Sequence, residues 1–514
     1  MTGIGEPVTQ QDEQPSEGSV TPHDGLAEGP VTEREDDASH DVGGQDPETA
    51  EPNAAVPEGA SPESVGSASP GSAQSQTVDS QTVDPETVDS QAVDTEAEDP
   101  EQRVSWLELF FDLVVVVAVA MIAERTHEHA TLGGVAESAV MYGALWIVWT
   151  AYMLYANVEG DRAHRKAILI GMVCIAVMAA AIPAVGHGRD VAFAVAYIVG
   201  RTLAMQSLAG SRKAVLDWPL AQQGGGLVPF FVGFWIDAPA RYYLWAGGIL
   251  LDLVLSSMAS REPASWQRRI EEGQRMREER VKLAQRRRGG PGSAMASNRR
   301  AQGRDRLRAF QIAHVNRPHL GERLGLFTII VLGEAVTQIV TATTEVDWSW
   351  AIALGSAAGF LALIGLWWLT FSYGFTGSPQ EKVTRLRAGV ALPVHLVSTA
   401  GIVGLSVGLG AAVAHGGDGI PTGLRWVGCA ALALYFLASA VGGALSGAPR
   451  SWLWGWALPA GVVPLVAAGV WREAWPGWVL ALVLGVVIGW MVCYGPIHQR
   501  RAATLGAAPA EATA

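Results

Sequence analysis

Charge is scarce in this chain. Of its 514 residues only 17% are Asp, Glu, Lys or Arg, 49% are hydrophobic, and the mean hydropathy is +0.21. A soluble chain is not this apolar while also carrying a long polar segment, so the apolar residues must be concentrated in the remainder. Cysteine is nearly missing: Cys174, Cys429 and Cys493 all fall in apolar stretches without C-x-x-C spacing. That pattern excludes a disulfide framework or a thiolate metal site and reads as three buried thiols. The nucleophile elbow, the phosphate-cradling glycine loop, the H-E-x-x-H helix and the dinucleotide fingerprint have no credible counterpart here, so the sequence points to no enzyme and no cofactor. Met1 is followed by Gly, Glu, Gln and Asp rather than by a basic and then an apolar region. No signal peptide is expected, and insertion falls to the first apolar span.

Aromatic residues are absent from residues 1–103, which hold 25 acidic side chains against only Arg34 and Arg103. A degenerate five-residue repeat, QTVDS QTVDP ETVDS QAVDT, occupies 76–95. Such a segment cannot bury enough apolar area to offset its ordering entropy, and reads as a disordered acidic cytoplasmic tail. The remainder is net basic, so the isoelectric point near 5.3 averages two unlike parts and implies no nucleic-acid partner.

What is abundant is the long apolar run. From Trp106 onward such runs recur, each near the length needed for a hydrocarbon core of ~30 Å at ~1.5 Å per residue. Twelve are expected, at 105–124, 135–157, 166–186, 190–210, 224–239, 241–260, 322–343, 348–373, 388–413, 423–446, 452–470 and 475–496. The fifth is the weakest. It is short, opens on Gly224, Gly225 and Gly226 and contains Pro229, so it reads as a full crossing or as a re-entrant or broken one.

With the N-terminus inside, the even-numbered loops carry the clustered basic residues, among them Arg162, Arg165, Lys166, Arg212, Lys213, Arg385 and Arg387. Lys and Arg resist translocation, so both termini are expected in the cytoplasm of a multi-pass protein of the inner (cytoplasmic) membrane. The expected fold is all-α: a tail at 1–103, a six-helix membrane half at 104–260, a basic cytoplasmic loop at 261–319, a second six-helix half at 320–497 and a short cytoplasmic tail at 498–514. The loop has 16 basic residues against six acidic ones, and from Ser265 to Arg288 it reads as a basic helix suited to anionic headgroups or simply to the cytosol. Nineteen tryptophans, many of them near span ends such as Trp348, Trp350 and Trp471, suit an aromatic belt.

Ionisable groups at membrane depth cost at least ~2.5 to 3.5 kcal/mol at a helix centre, so each asks for a partner or a task. Glu108 and Asp112 lie four residues apart on one face of the first span, Glu108 shallow and Asp112 deeper. Glu334 lies near the middle of the seventh span, while His319, Glu322 and Arg323 form a polar cluster at its cytoplasmic edge. Asp252, Arg201 and His395 are the other intramembrane candidates, Arg201 as a partner for an acid and His395 as a proton relay or a hydrogen-bonded packing residue. Glu124, His127, Glu128 and His129 gather in the first loop without a recognised zinc spacing. Each half opens with an acid-bearing span, so a site between the halves is expected to set Asp112 and Glu334 on opposite walls.

The strings SWLELFFDLVVVVAV at 105–119 and GERLGLFTIIVLGEAV at 321–336 closely resemble the two most characteristic segments of the bacterial low temperature requirement A family. The resemblance extends over most of 103–497, including His314, Arg317, His319, Glu322 and Arg323, and does not reach the acidic tail or the Arg-rich loop. It implies a multi-spanning membrane protein linked by name to growth in the cold, and so to stress adaptation. Two functions compete. The first is a transporter or channel-like protein for a small solute or ion that uses Asp112, Glu334, Glu108, His395 and Asp252 as ion or proton sites. The other is a membrane scaffold or sensor that recruits partners through its tail and loop. The solute and the oligomeric state are not legible.

Overall fold

The computed structural model describes residues 105–211, 213–215, 217–261, 311–373, 387–447 and 452–506, with scattered positions between 268 and 283. The expected acidic tail, most of the basic loop and the last eight residues lie outside the described residues. The described fold is all-helical apart from one three-residue parallel ladder.

The first half comprises α1 (Trp106–Glu128), α2 (Leu132–Glu159), α3 (Arg165–Ala181), α4 (Asp190–Ser211), α5 (Leu227–Val232) and α6 (Ala240–Ala259). The second comprises α7 (Arg317–Thr344), α8 (Trp350–Tyr373), α9 (Ala388–Ala414), α10 (Thr422–Leu445), α11 (Leu458–Val470) and α12 (Gly477–Gly506). Start signals are local. Ser105 and Glu108 form a reciprocal capping box on α1, with the Ser105 amide 2.8 Å from a Glu108 carboxylate oxygen. Asn316 caps α7 by accepting from the His319 amide, with Pro318 in the first turn. Gly160, at φ +56°, closes α2. Helix α1 runs on through Glu124 and His127 to Glu128, so three of the residues expected in the first loop belong to its last turns, and His129 caps its end. Cys174 and Cys429 are buried as expected; Cys493 is exposed on the outer surface of α12.

Among the described residues eleven helices are long and apolar enough to cross a membrane, one fewer than the twelve expected, α3 counted with its extension to Ala184 and α11 with the turn that begins at Leu453. The shortfall falls on the fifth. In place of a spanning helix, residues 219–235 form a 3₁₀ turn at Pro219–Gln222, the six-residue α5 and a second 3₁₀ turn at Gly233–Trp235. Yet α4 and α6 run parallel. Asp190, at the start of α4, holds Tyr242 (2.8 Å) and Arg241 (2.9 Å) at the start of α6, and Arg201, three turns on, meets Asp252 at 2.9 Å. Two successive parallel helices require the chain between them to travel back the full distance. It does so in steps: Lys213 bonds the Val158 carbonyl at the end of α2, Leu220 and Gln223 meet Arg201 halfway, and Gly233 and Ile236 meet Arg241 at the far end. The fifth passage therefore travels back along α4 in broken backbone.

That backbone needs partners, because carbonyls and amides at this depth have no water to bond. Arg201 donates to the Leu220 and Gln223 carbonyls, each at 3.0 Å, and the Gly226 amide donates to Asp252 at 2.8 Å. Both Arg201 and Asp252 are fully buried. A Cβ on Gly226 would collide with the Asp252 carboxylate and the Gly248 carbonyl, which is why glycine stands there.

Helices α2 and α9 are the most completely enclosed. Against α9, α10 packs backbone to backbone through Gly401, Gly404 and Gly408, the last directly opposite Gly428. On the Ser105 side of the bundle, a second contact ties the halves: strand Lys213–Val215 pairs in parallel with Gln311–Ala313, and Asn157 and Asn316 exchange two hydrogen bonds of 3.0 and 2.9 Å. This strap fixes where α7 begins.

Candidate functional site

Four helices, α1, α2, α7 and α9, converge on one buried polar network. Its centre is Asp112 on α1, whose Oδ1 accepts from Arg323 Nη2 on α7 at 2.8 Å and from the Trp149 indole on α2 at 2.8 Å. Asp112 is 0% and Arg323 1% exposed, so neither charge shares its field with solvent. One turn toward the Ser105 end, His319 Nε2 lies 3.5 Å from Glu108 Oε1. Glu108 and Asp112 are four residues apart on α1, and His319 and Arg323 are four apart on α7. Both pairs run in the same sense, which makes α1 and α7 parallel and in register.

Deeper in, Trp149 spreads over Phe327 (ring centroids 4.2 Å) and stacks on His395 of α9 (5.9 Å). His395 Nδ1 faces the Trp146 indole nitrogen at 3.1 Å, and an indole N–H only donates, so Nδ1 accepts. The ring proton then sits on Nε2 and points to the Leu324 carbonyl at 3.1 Å, with the Thr328 hydroxyl at 3.5 Å. This is the bonding pattern of a neutral imidazole held on both sides. A charged acid, a charged base, two indoles and a histidine thus form a continuous path from the rim of the bundle to its middle.

The pair is not saturated by protein. Asp112 Oδ2 and the Nε and Nη1 groups of Arg323 have no hydrogen-bond partner among the described residues. A cavity of about 560 Å³ borders the Ser105 end of this path, lined by Ser105, Glu108, Gly160 and Arg165 among others. The arrangement offers one carboxylate oxygen and two guanidinium donors in a fully buried, aromatic-walled position, one helical turn inward from Glu108 and His319.

Several expectations are rearranged. Arg323 and His319, expected at a polar edge, are buried and pair with Asp112 and Glu108; Glu322 is exposed and takes no part. Glu108, expected to sit shallow, is only 6% exposed. Asp252 belongs to the broken fifth passage, where it pairs with Arg201. Asp112 and Glu334 do not face each other. Glu334 lies eleven residues beyond Arg323 on α7, roughly 16 Å along the axis, where Gln338 donates to it at 2.9 Å and Glu124 of α1 is within electrostatic reach. Trp146, Trp149 and Thr328 were not singled out. Their signal was the matched four-residue spacing of Glu108/Asp112 and His319/Arg323, which predicts a face-to-face pairing and hence a shared wall.

The apolar helices and the buried charge network define a multi-spanning membrane protein, for which a lipid bilayer is the surrounding solvent. Residues 103–489 match the family described as bacterial low temperature requirement A protein (LtrA), and the chain belongs to that family, which places it in a bacterial cell membrane. It is also similar to a protein described as Uncharacterized protein RA0937 of Rhizobium meliloti (strain 1021), with 26% identity over 338 residues that cover 61% of this chain and 71% of that one.

Proposed function

We propose that the chain is a non-enzymatic transporter or channel-like protein that passes a small solute or ion between α1, α2, α7 and α9, with the Asp112–Arg323 pair as its central gate. The observation that carries this reading is the pair itself. It is fully enclosed, bridges the opening helices of the two halves and keeps hydrogen-bonding capacity that the protein leaves unused. The Arg201–Asp252 pair differs in degree: both Asp252 oxygens are bonded, to Arg201 and the Gly226 amide, and only Arg201 Nε is left without a partner among the described residues. Glu108 and His319 form the entry on the Ser105 side, and His395 continues the path inward. Glu334 belongs to a separate station nearer the Thr131 end.

The basic residues of the Ser105 side, including Arg165, Lys166 and Lys213, orient that side to the cytoplasm, so the entry cavity faces the cell interior. A part in growth in the cold or under stress follows from the family alone and adds no residue to the site.

The test is proton flux into proteoliposomes loaded with a pH-sensitive dye, under an imposed pH gradient. Asp112→Asn combined with Arg323→Gln removes both charges while keeping the shapes. The reading expects the wild-type dye response to fall to that of empty liposomes in this double variant, and to persist in Glu322→Gln. A wild-type protein that moves no protons, or a double variant that moves them unchanged, would remove the proton-linked gate.

A further inference from the structure

A second cleft, of about 610 Å³, lies toward the Thr131 end between α1, α2, α9 and α10. It shares no residue with the charged path. Its lining is almost wholly apolar, with Ile122 of α1, Val135 of α2, Val403 and Gly404 of α9, and Val427 and Ala431 of α10. Four hydroxyl side chains interrupt it, those of Thr126, Thr131, Ser138 and Tyr142. Ser138 and Tyr142, each 3% exposed, line the cleft, and the Ser138 hydroxyl has no hydrogen-bond partner among the described residues. Most buried Ser and Thr side chains of the helices bond back into their own turn, Thr150 being another exception. Thr126 in the same cleft bonds the carbonyl four residues back at 2.7 Å, and Thr328, Thr370, Ser398 and Ser439 do likewise in their own helices.

The cleft's rim decides what occupies it. Leu132, Trp426 and Leu434 are lining residues and are 91%, 40% and 39% exposed, so the cleft opens onto the apolar outer surface of membrane-crossing helices. Its surface is continuous with the face these helices turn to the bilayer, and the apolar matter on that side is lipid. Ser138 lies six residues along α2 from Leu132, roughly 9 Å from the helix end, near the depth at which the ester groups of a glycerolipid give way to its acyl chains. The neighbouring groove between α10 and α11, about 730 Å³, is lined by Ala433, Leu437, Gly461 and Val462 and by no Ser, Thr or Tyr side chain. It serves as the control.

We infer that the cleft between α1, α2, α9 and α10 is a binding site for one bilayer glycerophospholipid, whose acyl chain fills the apolar space and whose ester carbonyl accepts from the Ser138 hydroxyl. This site is independent of the gate. Because α1 and α2 belong to the first half and α9 and α10 to the second, the bound chain is wedged across the junction of the two.

Native mass spectrometry of the full chain released from nanodiscs of a diester phospholipid reads the occupancy. Ala139→Phe fills the cleft from an exposed lining position that the control groove does not share and is expected to abolish the single retained lipid. Val462→Phe in the control groove is expected to leave it. Ser138→Ala is expected to lower occupancy roughly threefold to tenfold, the worth of one hydrogen bond, and to remove the preference of the wild type for a diester over a diether lipid of the same headgroup. Retention of the lipid in the filled variant overturns the site. So does equal loss in Val462→Phe, which would mark the lipid as unspecific, and so does an absent ester preference in the wild type.

Discussion

Asp112 and Arg323 stand 211 residues apart in the chain and 2.8 Å apart in the fold, and through them the opening helix of each half is held against the other. Taking one charge away leaves its partner buried alone. Asp112→Asn and Arg323→Gln are each expected to lower stability by about 3 to 5 kcal/mol, and the combined variant by much less than the two together. Thermal melting in detergent over a double-variant cycle measures the difference. Additive losses would mean the two charges are not coupled.

The Trp149 indole does two things: it donates to Asp112 and it covers Phe327 and His395. Trp149→Phe removes only the first, and a hydrogen bond to a charged group is worth about 1.5 to 3 kcal/mol. Trp149→Ala removes both and is expected to cost more, since large aromatic truncations cost about 3 to 5 kcal/mol. The order of melting temperatures, wild type above Phe above Ala, checks the assignment. A Phe variant as stable as the wild type would show that the indole N–H contributes nothing.

The broken fifth passage makes a topological prediction. In a chain with Cys174, Cys429 and Cys493 replaced by alanine, Ser211→Cys and Asp237→Cys should react with a membrane-impermeant maleimide from opposite sides of oriented vesicles. They flank the passage and would label from one side if it merely dipped and returned.

The same passage depends on Gly226, where a side chain would meet both Asp252 and the Gly248 carbonyl. Gly226→Ala is expected to destabilise by about 1 to 3 kcal/mol through forced displacement of α5 from α6. Gly247→Ala, one helix position from the contact and with open space at its Cβ, should be tolerated. Equal behaviour of the two variants in the melting assay would contradict the packing argument.

Much of this architecture was legible in the chain. Length and apolarity locate eleven helices because bilayer thickness imposes a minimum run, and the basic loops imply an even number of crossings. The fifth passage lacks the helix that length alone suggests, although α4 and α6 run parallel. Its breakage was signalled by Gly224–Gly226 and Pro229, but the partners that satisfy its backbone, Arg201 and Asp252, lie on other helices and have no signature in local sequence. The site is only partly legible for the same reason. Asp112 stands out because a carboxylate in an apolar run is costly, whereas Arg323 looked like an ordinary edge residue: hydropathy assigns depth along one helix and is blind to its neighbours. Glu334 drew equal weight by the same rule, yet the register of α1 on α7 places it with Glu124, far from Asp112.

The measurement that bears most directly on the gate is proton flux through proteoliposomes containing the chain with Asp112→Asn and Arg323→Gln, beside a melting curve of the same preparation. The account predicts a dye signal no greater than that of protein-free vesicles, with melting close to that of the parent chain. A signal equal to the parent's would show that nothing passes by way of this pair.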